Sequence, residues 1–121
     1  MMNQDPTPGA AERMAEMSNS DDLNPIITGA KKTMVLFEMT GCPYCLTFES
    51  RFLDFSKEHS EDFNFVRVKL DDPANPLWEK YNIFAVPTVI LFSRGEIVSR
   101  VDSILAFGLS KRMWGEFCVG L

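Results

Sequence analysis

The segment Thr33-Met34-Val35-Leu36-Phe37-Glu38-Met39, closed by Thr40-Gly41 and followed at once by Cys42-Pro43-Tyr44-Cys45, leaves this chain few choices of fold. The run is almost wholly apolar and of strand length, which predicts a central strand covered on both faces. Pro43 suits the first turn of a helix, where its missing N–H does no harm. Behind it Cys45, Phe48, Phe52 and Phe55 recur at intervals of 3, 4 and 3 residues, the spacing of one buried stripe. Glu49, Arg51, Lys57 and Glu58 fall on the wetter side of that helix.

The rest of the chain supplies partners for this strand and helix. Phe65, Arg67 and Lys69 alternate with Asn64, Val66, Val68 and Leu70, a Val-rich pattern that predicts a second strand stopped by Asp71-Asp72-Pro73. Pro76 to Tyr81 reads as a short helix and Val86 to Phe92 as a third strand. Ser93-Arg94-Gly95-Glu96 is a turn, with Ile97 to Val101 its hairpin partner. A last helix begins at Ser110, a good N-cap flanked by Leu109 and Trp114 as a hydrophobic staple, and runs to about Val119. The predicted class is α/β, a mixed central sheet of about four strands flanked by helices. Residues 1–24, with Pro6, Pro8, Gly9 and clusters of Asn, Ser and Asp, have too little branched apolar material to offset ordering. They are expected to form a flexible tail, with at most a transient helical turn from Glu12 to Met17, ahead of one domain over residues 25–121.

Cysteines three apart at a helix start are near neighbours, within reach of a reversible disulfide. Cys42 falls at the helix start, where free N–H groups and the positive end of the helix dipole favour a thiolate, and is the expected nucleophile. Cys45 lies on the Phe48, Phe52 stripe and faces inward, able to reach only a sulfur already joined to Cys42. That division of labour predicts a two-step exchange: Cys42 attacks a substrate disulfide and Cys45 resolves the mixed disulfide. A losing alternative is half a zinc site, since the chain offers only His59 and Cys118 as further ligands, alone and far apart. A cluster bridging two chains is chemically conceivable but ranks lower still. No metal and no cofactor is therefore expected.

Cys42-Pro43-Tyr44-Cys45 after an apolar strand, together with Tyr81-Asn82-Ile83-Phe84-Ala85-Val86-Pro87-Thr88 further on, resembles the thioredoxin-like superfamily of thioredoxins and glutaredoxins over most of Thr33 to Leu121. The resemblance implies a cis Pro87 lying against the cysteine pair, with the backbone of Val86 offering hydrogen bonds to an extended substrate segment. Gly41, Pro43 and Tyr44 complete the implied substrate side. Cys-Pro-Tyr-Cys is similar to glutaredoxins, but the Gly-Gly-x-Asp-type element with which they hold glutathione is missing from Val101 to Gly108. Leu36 stands where thioredoxins keep a buried Asp. Met34, Leu36 and Glu38 share a strand face, so Glu38, one step nearer Cys42, is the candidate substitute as proton acceptor, with Arg67 a charge partner.

These readings predict a thiol:disulfide oxidoreductase working on protein disulfides, chiefly as a reductase fed by a separate reductase, with a part in cell redox homeostasis. The rival reading is a non-catalytic redox sensor or partner-binding module. A net charge of -5 argues against nucleic acid as a partner. No run approaches the roughly 20 apolar residues that span a bilayer, and the first residues lack the pattern of a secretory signal. A cytoplasmic monomer, away from membranes, is the expected form.

Overall fold

The computed structural model describes residues 14–121. In chain order the elements are β1 (Ala15–Met17), α1 (Ser20–Ile27), β2 (Thr33–Glu38), α2 (Pro43–Glu58), β3 (Asn64–Lys69), α3 (Leu77–Lys80), β4 (Thr88–Ser93), β5 (Glu96–Asp102) and α4 (Lys111–Val119). They form a mixed sheet in the order β1-β3-β2-β4-β5, in which β3 runs parallel to β1 and β2 while β4 is antiparallel to β2 and β5.

Every residue of β2 is buried, as a strand covered on both faces must be. Its side chains divide by alternation. Val35 and Phe37 join Leu23 and Ile27 of α1 and Leu77 of α3 in one core, while Met34 and Leu36 join Phe48, Phe52, Trp114 and Phe117 of α2 and α4 in the other. The second core is rich in aromatic contacts; Trp114 meets Phe48 edge-on with ring centroids 5.0 Å apart. Ser110 caps α4 by accepting the Met113 N–H at 3.2 Å, and Leu109 and Trp114 are both buried beside that cap.

The boundary expected at residue 24 is corrected: it falls inside α1, and residues 15–24 belong to the domain. Asn19 caps α1, its side chain accepting the Asp22 N–H at 2.9 Å, and Asp21 and Asp22 complement the positive end of the helix. Leu23 and Ile27 then anchor the helix with almost no exposure, so two apolar side chains suffice where the composition looked too poor. Ala15 to Met17 forms a strand instead of the expected helical turn, because β3 offers it a parallel edge in the register Glu16 opposite Arg67. This is the fifth strand beyond the four expected. Residues 1–13, the remainder of the expected tail, lie outside the described residues. β4 begins at Thr88, two residues later than predicted, since Pro87 has no N–H to give to a ladder.

Candidate active site

The site forms where β2 ends and α2 begins. Gly41 takes a left-handed φ of 77° in the turn between them, a conformation glycine adopts without penalty. Asp71, just past β3, grips that turn by accepting the Thr40 N–H at 2.7 Å and the Thr40 hydroxyl at 2.8 Å. These two bonds hold the Asp71 carboxyl below its ordinary range. Cys42 is the N-cap of α2, and its Sγ accepts the backbone N–H of Cys45 at 3.2 Å. Pro43 opens the helix as expected.

Cys42 is half-buried while Cys45 is only 2% exposed, and both are free thiols. Burial first, and then its hydrogen bond to Cys42, push Cys45 up to about 12, with the neighbouring charge of Glu38 adding a smaller push. A thiol so placed loses its proton only with help.

Glu38 ends β2 on the α2 side of the sheet, 1% exposed, with Lys69 Nζ 3.4 Å and Arg67 Nη1 3.7 Å from its Oε2. The expected partner Arg67 is therefore present, and Lys69, which pairs with Glu38 across the parallel ladder, was not foreseen. Burial is the main force lifting Glu38 to about 7, opposed by Lys69 and Arg67 and reinforced by Glu49. Glu49 corrects the sequence reading: it is half-buried rather than on the wet side, 2.9 Å from Arg67 Nη1. It stands one helical turn beyond Cys45, a spacing of four that the sequence already displays.

The opposite side of the site is built by loops. The register Phe37 opposite Thr88 sets Val86 and Pro87 level with the end of β2, and the Val86–Pro87 peptide is cis. Arg100 steadies the approach to that segment, donating to the Tyr81 carbonyl at 2.8 Å while its Nη2 lies 2.7 Å from Asp102. Residues 103–108 then strap the two halves together. Ser103 donates to the Pro87 carbonyl, and the Tyr44 hydroxyl, from between the two cysteines, donates to the Ala106 carbonyl at 2.6 Å. Gly108, at φ 77°, lies so close to the Tyr44 ring that a Cβ there would be 2.6 Å from Cδ1. Beside these contacts Phe84, Leu105 and Phe107 leave about three quarters or more of their surface in water, at 85%, 76% and 77%. The strap was invisible in the sequence because its bonds run to backbone carbonyls; the Gly108 position in an otherwise apolar stretch was the one available sign.

Cys118, on α4, is half-buried against the second core and raised to about 11 by that burial, and His59 stacks on Phe55 with ring centroids 4.2 Å apart. Neither comes to the site. Among the described residues no group of three or more His, Cys, Asp or Glu is arranged to hold a metal ion, and no helix is long and apolar enough to cross a membrane.

Comparison with known proteins adds a family to this geometry. The thioredoxin-like domain family matches residues 20–108. A thioredoxin of Mycoplasmoides gallisepticum is 29% identical over 87 residues, spanning 72% of this chain and 85% of that protein. Thioredoxin H3 of Arabidopsis thaliana is 36% identical over 73 residues, 60% of each chain. In fold alone, the crystal structure of the germline-specific thioredoxin protein Deadhead from Drosophila melanogaster is similar with a TM-score of 0.72 at 18% identity, covering 89% of this chain and 99% of that one.

Proposed function

The chain belongs to the thioredoxin-like domain family, and on that premise we propose that it exchanges disulfides with protein substrates through Cys42 and Cys45, working as a reductase. One observation carries the reading: Cys42 is only half-buried at the cap of α2, its sulfur held by the Cys45 N–H, while Cys45 itself is buried. Cys42 attacks a substrate disulfide, expelling one substrate sulfur as thiolate; Cys45 then attacks Cys42, releasing the second and leaving the Cys42–Cys45 disulfide. Glu38 takes the Cys45 proton, which a thiol lifted to about 12 does not give to water readily. Val86 and Pro87, with Gly41, Pro43 and Tyr44, form the substrate side. In this reading a separate reductase returns the pair to the dithiol, and the working unit is a cytoplasmic monomer serving redox homeostasis.

Trapping tests the assignment. Cys45→Ser should accumulate mixed disulfides with partner proteins and Cys42→Ser none, because only the first retains a nucleophile without a resolver. The reverse pattern swaps the roles, and a wild-type chain that titrates with potential but does not turn over insulin disulfides is a sensor instead.

A further inference from the structure

Under the cysteine pair lies more charge than a single proton acceptor needs. Three carboxyls meet two cations there: Arg67 reaches Glu49 at 2.9 Å and Glu16 of β1 at 3.1 Å as well as Glu38 at 3.7 Å, and Lys69 reaches Glu38 at 3.4 Å. Glu38 Oε2 is buried with no hydrogen-bond donor among the described residues. Glu38 is 1% exposed and Glu49 23%, so one carboxyl is sealed in and its neighbour touches water. Glu38 and Glu49 approach the same Arg67 nitrogen, Nη1, at 3.7 and 2.9 Å, which makes the two carboxyls neighbours on one guanidinium. Like charges brought together in this way disfavour joint ionisation, and a single proton held by the pair relieves the repulsion.

We propose that Glu49 shares one proton with Glu38 and passes the Cys45 proton on to solvent, the two carboxyls forming a relay from the buried thiol to water. The proposal rests on the exchange reading of Cys42 and Cys45. In the resolving step the Cys42–Cys45 bond forms and the bond from Cys42 to the substrate sulfur breaks, its electron pair leaving on that sulfur. The cysteine pair is oxidised and the substrate disulfide reduced. The Cys45 proton moves to ionised Glu38, across to Glu49 and out to water, and the departing thiolate is free to take a proton from solvent.

The surrounding groups suit a singly protonated pair. Arg67 Nη1 reaches both carboxyls and Glu16 holds Nη2, fixing the guanidinium in place. Lys69 faces Glu38 from β3, while Cys45 and Glu49 face it from α2. The charge of Glu49 raises Glu38, so removing that charge must move the inner carboxyl.

Glu49→Gln in the full-length reduced chain is the test, since the amide still accepts from Arg67 and spares the fold. Carboxyl carbon NMR should show the Glu38 midpoint falling by about one pH unit, the order expected for loss of a like charge in contact. Single-turnover resolution from a preformed mixed disulfide should slow several-fold, with its inflection moved to lower pH by the same amount. Glu49→Asp, which keeps the charge, should hold the midpoint near the wild-type value. An unmoved midpoint in Glu49→Gln overturns the shared proton, and a moved midpoint with an unchanged rate and pH profile overturns the relay. A wild type that fails to turn over insulin disulfides, yet shows the shift, supports the shared proton and removes the exchange reading alone.

Discussion

The two flanks of the α2 N-terminus invert the ordinary partition between core and surface. Outside it, Phe84, Leu105 and Phe107 stand in water; beneath it, Glu38 is sealed among Arg67, Lys69 and Glu49. Solvation alone favours the opposite arrangement, since apolar surface gains from burial and an ionised carboxylate loses heavily by it. Each flank is held by a different device. The buried charges are fixed by strand register, with Leu36 opposite Arg67 and Glu38 opposite Lys69, and so inherit the rigidity of the sheet. The exposed rim hangs on a few bonds to backbone carbonyls and one close approach at Gly108. The inner flank should therefore respond to pH and the outer one to shape.

The largest difference is expected in stability against pH. Glu38 ionises ordinarily near 4.5 and in the fold near 7, so between those values the folded chain keeps a proton that the unfolded chain has lost. Stability then falls as pH rises through that window, by about 3 kcal/mol in all. Glu38→Gln should abolish this fall, gaining on the wild type most above pH 7 in urea melts, while its resolving step slows and loses the inflection near 7. A variant that keeps the wild-type slope would show the buried carboxyl to be ionised throughout, and the two flanks to be alike in this respect.

Gly108→Ala attacks the outer flank. Its methyl would sit 2.6 Å from Cδ1 and 2.9 Å from Cγ of Tyr44, and φ 77° disfavours any side chain. The loop or the ring must move, at a cost of about 2 kcal/mol by comparison with other overpacked positions. Protein disulfides should be reduced with a higher KM, while a small aromatic disulfide reagent that needs no rim should react at its former rate. Equal losses for both would mean that the strap shapes the cysteines themselves and not their surroundings.

The unequal legibility of the two flanks follows from the same contrast. The strand from Thr33, the helix from Pro43 and the cap at Ser110 were readable because each writes a period or a cap into consecutive residues. Glu38 was readable as the one carboxylate on the buried strand. Glu49 was readable only as a side chain one turn beyond Cys45; its pairing with Arg67, which reaches across from β3, was not. Likewise β1 is held by backbone pairing to β3, which leaves no signature in Ala15, Glu16 and Met17. Asp71 and Ser103 act through backbone groups of distant turns, and only a fold can reveal such partners.

Tyr44→Phe should give the smallest effect and locate the latch most finely. The hydroxyl donates to the Ala106 carbonyl at 2.6 Å, and Ala106 itself holds a left-handed φ of 72°, which a non-glycine residue adopts at some expense. Water competes for an exposed bond of this kind, so its net worth is about 1 kcal/mol. Losing it should free the strap without displacing the ring from Gly108. Amide exchange at Phe107 and Gly108, whose N–H groups both bond to the Ile104 carbonyl, should then quicken about fivefold, as a loss of that size implies. Alkylation of Cys42 by a small reagent should not change, because the sulfur keeps its place at the helix cap, held by the Cys45 N–H. If exchange in the strap stays as slow as in the wild type, the contact between the ring and Gly108 is the whole latch. The outer flank would then be held, like the inner one, by packing against a regular element.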